Sequence, residues 1–189
     1  EGSWENMYKA KNADAAYTDT EMVFVKGFDN DNKWVLKDVE CGKAYKICVD
    51  IRAGKERMMM SEFVPYEMIY MVGDATPAGW SIGDATPMQA TDSPYVFTWQ
   101  GVLNVGELKL TCDKKEDWNG AWFMPTVADR QPSGETEPML FLDKASDAFK
   151  AQYPDVMIGG IDQKWKITTA GSYKITLNQL EETISIVKQ

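Results

Sequence analysis

Short runs of Val, Ile, Tyr, Thr and Met, with apolar and polar positions alternating and Gly, Asn, Asp and Pro between them, cover most of the chain. A period of two turns one face of a strand to a core and the other to water. From Tyr66 onward these runs predict strands at 68–72, 95–102, 107–112, 139–142, 164–169, 173–177 and 183–187. In the sixth, Tyr173, Ile175 and Leu177 form a dry face against Lys174, Thr176 and Asn178. The polar stretch Asn178-Gln179-Leu180-Glu181 then joins the last two strands as a hairpin. Residues 144–153 depart from the pattern: Ala145, Phe149 and Tyr153 recur at helical spacing and Pro154 follows, which predicts a short helix. Residues 128–138, with Pro132, Ser133, Gly134 and Pro138, read as a loop. About seven short strands in about 120 residues predict an all-β fold, an immunoglobulin-like β-sandwich.

The pattern also repeats. Asp31-Asn32-Lys33-Trp34 followed by Gly42-x-x-Tyr45-Lys46-Ile47 matches Asp162-Gln163-Lys164-Trp165 followed by Gly171-x-Tyr173-Lys174-Ile175. Upstream, Glu21-Met22-Val23-Phe24-Val25 faces Glu137-Pro138-Met139-Leu140-Phe141-Leu142; downstream, Glu56-Arg57-Met58-Met59-Met60 faces Glu182-Thr183-Ile184-Ser185-Ile186. Residues 1–64 therefore read as the C-terminal half of one module and 65–189 as a complete module, joined at Val64-Pro65-Tyr66. The part without a counterpart in the first copy corresponds to 66–115. Half a sandwich leaves one sheet face without its opposing layer. Such a piece packs on a neighbour, pairs with another molecule's edge, or belongs to a longer tandem protein, and the last reading is the one taken.

Composition narrows the chemistry. The 189 residues are 44% hydrophobic and 12% aromatic, enough for a core, and the net charge is −9. That charge argues against nucleic acid, polyanionic glycans and anionic membrane surfaces, and favours neutral or cationic partners. No apolar run approaches a membrane span and no signal peptide opens the chain. The start at Glu1 fits a processed protein or an expressed fragment from which an anchor or secretion signal has been removed. Histidine is absent, which excludes imidazole triads and the zinc-hydrolase motifs. Cys41, Cys48 and Cys112 have no metal-ligand spacing; the first two flank Gly42, close enough for a bridge, but buried thiols are the plainer expectation. No cofactor and no metal site is predicted.

The tryptophans carry the candidate chemistry. Gly73-Asp74-Ala75-Thr76-Pro77-Ala78-Gly79-Trp80 leaves a strand into a Gly/Pro-rich loop. Phe97-Thr98-Trp99-Gln100-Gly101-Val102-Leu103, Gly106-Glu107-Leu108-Lys109 and Asp117-Trp118-Asn119-Gly120-Ala121-Trp122-Phe123 follow. In this order, and closed by Lys164-Trp165 and Gly171-x-Tyr173-Lys174-Ile175, they resemble the starch-binding modules of the SusE/SusF family over 66–189, with the back-half motif recurring in 21–62. The resemblance implies surface-exposed lipoproteins of the bacterial outer membrane, built of tandem sandwich modules. It implies non-catalytic binding of starch or another α-glucan, together with other components of a polysaccharide-uptake complex. It also implies that Trp80, Lys109 and Trp118 or Trp122 meet at the ligand, with Asn119 and Asp117 as polar candidates and Arg130 as a further one in a loop of variable length.

Sugar chemistry favours the same groups, because a pyranose offers a flat C–H face to an indole and hydroxyls to a few donors and acceptors. A shallow aromatic site of this kind binds with Kd of order 10 μM to 1 mM, about −4 to −7 kcal/mol, and tandem modules compensate through effective concentration. Structural readings stand beside these. Trp99 and Trp165 lie inside strand patterns and are expected in the core. Trp122, followed by Phe123-Met124-Pro125, is expected to be more buried than Trp118. Lys109 alternates with Leu108 and Leu110 and is expected to point outward, as a solvated lysine does. Trp80 is equally a plug holding its loop down. An exposed, near-coplanar tryptophan pair supports glycan binding; full burial supports a structural or adhesive spacer. A glycoside hydrolase needs two carboxylates across a cleft, and no motif singles out a pair. Asp29-Asn30-Asp31-Asn32 lacks the glycine and terminal glutamate of a calcium loop and reads as a turn. Met58-Met59-Met60 reads as strand.

Overall fold

The computed structural model describes residues 5–27 and 30–189. The chain falls into two compact units, Glu1–Val64 and Pro65–Gln189. Trp4, loosely matched to the Asp-Trp loop of the second copy, and Asp29 of the Asp/Asn turn lie outside the described residues.

The first unit holds β1 (Asn6–Ala10), β2 (Ala15–Ala16), β3 (Met22–Lys26), β4 (Trp34–Val35), β5 (Tyr45–Asp50) and β6 (Arg57–Glu62). Strands β1 and β3 pair antiparallel, β2 and β4 parallel, and β5 and β6 form a hairpin. The Met58–Met60 run lies within β6. Cys41 and Cys48 carry free thiols. In the Asp/Asn turn the oxygens are taken by lysines: Lys9 Nζ donates to Asn30 Oδ1 at 2.6 Å and Lys33 pairs with Asp31 at 2.7 Å. No group of three His, Cys, Asp or Glu able to hold a metal occurs among the described residues.

The second unit is all-β apart from one short helix. Its elements are β7 (Tyr70–Val72), β8 (Thr86–Pro87), β9 (Gln89–Ala90), β10 (Val96–Leu103), β11 (Gly106–Thr111), β12 (Ala121–Pro125), β13 (Thr136–Asp143), α1 (Asp147–Gln152), β14 (Trp165–Ile167), β15 (Gly171–Asn178) and β16 (Thr183–Lys188). One hydrogen-bonded path runs β8-β7-β11-β12-β13-β16-β15-β10-β9. Strand β13 bends the path in two: residues 139–143 pair with β12 and residues 136–138 with β16. This makes a sandwich of two sheets that share a corner strand. Strand β14 pairs with residues 106–108 of β11, where β7 has ended.

Two apolar layers follow from the alternation. Between the sheets lie Phe97, Trp99, Leu108, Leu110, Phe123, Trp165, Ile175 and Ile186. On the outer face of the β7-β11-β12-β13 sheet a second cluster gathers Val72, Trp122, Met124 and Leu142 with Ile82, Ala85 and Ile158 from the covering loops. A sheet buried on both faces has no wet side, so its strands lose the period of two. Strand β12 (Ala-Trp-Phe-Met-Pro) is buried at every position, which is why the alternation predicts no strand there. Helix α1 is shorter than its spacing predicts. Asp143 Oδ1 accepts from the Ala145 and Ser146 amides in a turn, and Ser146 then caps the helix by accepting from Phe149 N at 3.1 Å.

Candidate functional site

The covered outer face opens where β7 stops and β14 takes over beside β11. There a cleft of about 400 Å³ is lined by Trp80, Glu107, Lys109, Trp118, Asp162 and Lys164. A second cavity, about 310 Å³, lies between the 131–134 loop and residues of β14, β15 and β16. Its aromatic, Tyr173, is buried and donates its hydroxyl to the Thr169 carbonyl, so it presents no exposed ring.

The two lining indoles are each held by a local device. Trp80 follows a loop pinned at Gly73, whose amide donates to Gly79 O at 2.8 Å and whose carbonyl accepts from Thr76. Gly73 has φ +124°, and a Cβ there would run into the Glu107 backbone, so only glycine fits. Trp118 sits on the loop from β11 to β12 with φ +61°, a left-handed conformation that a bulky residue rarely adopts. Such an outlier costs of order 1–3 kcal/mol and persists where its surroundings over-determine it. Asp113 supplies that support: its carboxylate accepts from the Ala121 and Lys115 amides, and Gly120 packs against it so closely that a Cβ would overlap the oxygens. Gly120→Ala is therefore expected to destabilise the protein by about 1–3 kcal/mol and to weaken any ligand held by Trp118. Thermal melting beside a ligand titration measures both.

The aromatic and charged groups close into a ring. Trp118 stacks on Trp122 with centroids 5.6 Å apart and planes 6° from parallel. Trp122 Nε1 donates to the Trp118 carbonyl at 3.2 Å. Lys109 Nζ lies 4.1 Å from the Trp122 ring centroid and donates to Asp162 Oδ1 at 2.6 Å. The other Asp162 oxygen accepts from Lys164 Nζ at 2.9 Å, and Lys164 lies 5.9 Å from the Trp80 ring. Trp80 returns to Trp118 at 6.0 Å, the planes tilted by 53°. The cations therefore rest on indole faces, where the ring quadrupole attracts them.

Electrostatics follow from burial. Lys109 is only 3% exposed, and loss of water lowers its pKa even though the bond to Asp162 acts to raise it. Asp162 is more open; burial acts to raise its pKa, but the hydrogen bonds from Lys109 and Lys164 prevail and hold it at about 2. The two shifts describe one pair: the buried ammonium bears the dehydration, and the exposed carboxylate registers the attraction. Lys164 is raised by the same carboxylate.

Trp80, Lys109 and Trp118 from the sequence reading thus meet in one cleft. Trp122 is fully buried beneath Trp118, so it supports that indole and offers no face of its own. Asn119 is exposed but does not line the cleft; it follows an Asx turn in which Asp117 accepts its amide. Arg130 lies outside the cleft and binds the buried Glu137 through Nε at 3.0 Å and Nη2 at 2.8 Å. Glu137 also accepts from Trp165 Nε1 at 3.2 Å. Arg130→Ala is expected to cost about 1–2 kcal/mol of stability, since a buried carboxylate loses its cation, with ligand affinity unchanged. Urea denaturation and a binding titration separate these effects. Lys109 does take the outer face, as alternation with Leu108 and Leu110 requires, but that face is roofed by Trp122 and the ammonium is buried rather than solvated. The tryptophan pair is tilted rather than near-coplanar, and neither fully exposed nor fully buried.

Glu107, Asp162 and Lys164 are the lining residues that sequence reasoning missed. Strand register supplies the signal: Leu108 faces Trp165 and Glu107 faces Lys166, so the residues flanking Trp165 share the outer face with Lys109. Compared with known proteins, the chain matches no family model, no curated protein and no solved structure.

Proposed function

We propose that this protein binds a neutral glycan, an α-glucan such as starch in the first instance, without cleaving it. The observation that carries the reading is the charge balance of an aromatic cleft. Two indoles, Trp80 and Trp118, line it beside two ammoniums and two carboxylates, so the lining carries no net formal charge. A charged ligand would find each cation already engaged by Asp162. A polyhydroxylated neutral ligand gains C–H contact with the indoles and hydrogen bonds from groups already oriented. The 53° tilt between the rings suits a chain whose successive sugars turn relative to one another, as in an α-glucan, better than a flat ribbon.

Hydrolysis is disfavoured by the same residues. A general acid needs a raised pKa, whereas Asp162 is held at about 2 by its two lysines. Membership of the SusE/SusF-like outer-membrane lipoproteins, with a place in a surface polysaccharide-uptake complex, is proposed on the motif order and the repeat. The competing reading is a structural or adhesive spacer in which Trp118 serves only as packing on Trp122; the burial of Lys109 favours it.

Tryptophan fluorescence of the wild type, titrated with maltoheptaose and with an oligouronate, tests the proposal alongside reducing-sugar release from amylopectin. Expected are saturable quenching or enhancement by maltoheptaose alone, with Kd of order 10 μM to 1 mM, and no reducing ends. Silence with neutral oligosaccharides would favour the spacer, and released reducing ends would make the protein an enzyme.

A further inference from the structure

We propose that Glu107 sets the specificity of the tryptophan cleft: its carboxylate accepts hydrogen bonds from two hydroxyls on adjacent sugar carbons, so the ligand class is glycans with free vicinal diols. The inference rests on the glycan reading above and narrows it.

Glu107 differs from the other charged groups of the cleft in having its acceptors open. Lys109 and Lys164 both donate to Asp162, and each takes a different oxygen. Among the described residues no donor is bound to the Glu107 carboxylate, and it forms no ion pair. Lys164 senses the charge of Glu107 but gives its hydrogen bond to Asp162. Glu107 is nevertheless half-buried and lines the cleft with Trp80 and Trp118. Strand β11 turns it to the same side as Lys109, while Leu108 between them enters the inter-sheet core. A carboxylate that has lost part of its hydration gains from donors that a ligand brings.

The loop that carries Trp80 fixes its position. The Glu107 amide donates to Asp74 Oδ1, and its carbonyl accepts from the Ala75 amide at 3.1 Å. Asp74 comes this close because Gly106 has no side chain: a Cβ there would lie 2.6 Å from Asp74 Oδ1. The Ala75 carbonyl in turn accepts from the Asn104 amide at 2.9 Å. An open acceptor is thus held near an indole by bonds to its own backbone, so little ordering is left for binding to do.

An ionised carboxylate accepts only, through two oxygens set side by side, and charge-assisted bonds of that kind are the strong ones. Hydroxyls on neighbouring carbons present a matching pair of donors, which an unsubstituted glucan repeats on every sugar. A ligand ammonium is the other group such a carboxylate could take, but it would enter beside the ammoniums of Lys109 and Lys164.

The test follows tryptophan fluorescence of the full chain during titration with maltoheptaose and with maltoheptaose methylated either at O6 or at both O2 and O3 of every sugar. The wild type is expected to bind the parent and the O6-methylated form alike, and the O2,O3-methylated form about tenfold or more weakly. Glu107→Ala is expected to bind all three alike, at the weak affinity. Glu107→Gln, which keeps one acceptor oxygen, is expected to fall between. A merely structural Glu107 would weaken the three ligands without erasing the difference between them, and thermal melting shows whether the variants fold. If the wild type binds none of the three, the glycan reading fails and this inference with it. If the wild type binds but Glu107→Ala keeps the distinction, this inference alone fails. Equal affinity of the wild type for all three would also overturn it, as would tighter binding of a glucosamine oligomer that Glu107→Ala abolishes.

Discussion

Trp118→Ala is expected to weaken glycan binding about 30-fold or more, the scale of an aromatic hot spot near 2 kcal/mol. The expectation rests on position. Trp118 stacks on the fully buried Trp122, lines the cleft and meets Trp80 at 6.0 Å, so its removal takes away one of the two platforms and uncovers the buried indole beneath it. The substitution also loses half-buried packing, at about 1–3 kcal/mol of stability. Backbone strain provides an internal control. At φ +61° alanine keeps the left-handed penalty, whereas glycine does not. Trp118→Gly is therefore expected to be about 1 kcal/mol more stable than Trp118→Ala, with binding equally lost. Titration and melting of the two variants side by side check this. If alanine bound glycan as the wild type does, Trp118 would be packing only.

Asp162→Asn is expected to destabilise the protein by about 1–2 kcal/mol at neutral pH, through Lys109 rather than through Asp162 itself. The Lys109 ammonium is buried, and Asp162 gives it a charged acceptor at 2.6 Å. Breaking a fully buried pair costs more than this; the Asp162 side chain is 55% exposed, so screening by water reduces the figure. Adding Lys109→Met to Asp162→Asn is expected to recover most of the loss, because the thioether packs on Trp122 and leaves no buried charge. The pH dependence has a definite sign. The folded pKa of Asp162 lies below the ordinary 3.8, so its contribution is present above about pH 4 and fades as pH falls through about 2. The wild type and Asp162→Asn should therefore converge in stability near pH 2 and differ at pH 7. Chemical denaturation at both values measures this, and equal stability at pH 7 would show that Asp162 does nothing for the buried ammonium.

Strand periodicity made much of the fold legible, and so did the order of tryptophan motifs. The β15–β16 hairpin follows from the alternation at Tyr173, Ile175 and Leu177. Trp80, Lys109 and Trp118 converge because two connections meet strand β11 on one outer sheet face. What escaped reading came from that face being covered. An outward lysine is solvated on an ordinary sandwich; here Trp122 and the loops around Ile82 and Ile158 form a second apolar layer that buries it. The same layer removes alternation from β12, so periodicity predicts no strand at Trp122 and Met124. Asp162 and Lys164 were visible only as a repeat motif, shared with Asp31 and Lys33. Their role depends on β14 lying beside β11, a pairing across more than fifty residues that local pattern does not encode.

The central claim is that the Trp80–Trp118 cleft holds a neutral glycan, and affinity electrophoresis in native gels tests it most directly. Wild type and Trp80→Ala would be run in gels cast with amylopectin, pullulan and a polyuronate, against a gel without polysaccharide. Trp80 is 38% exposed and its ring meets Trp118 and Lys164 at the edge of the cleft, so its alanine variant is expected to fold normally. The account predicts that amylopectin or pullulan retards the wild type, that the retardation disappears in Trp80→Ala, and that the polyuronate has no effect. Equal mobility of the wild type in every gel, or equal retardation of both proteins, would contradict it.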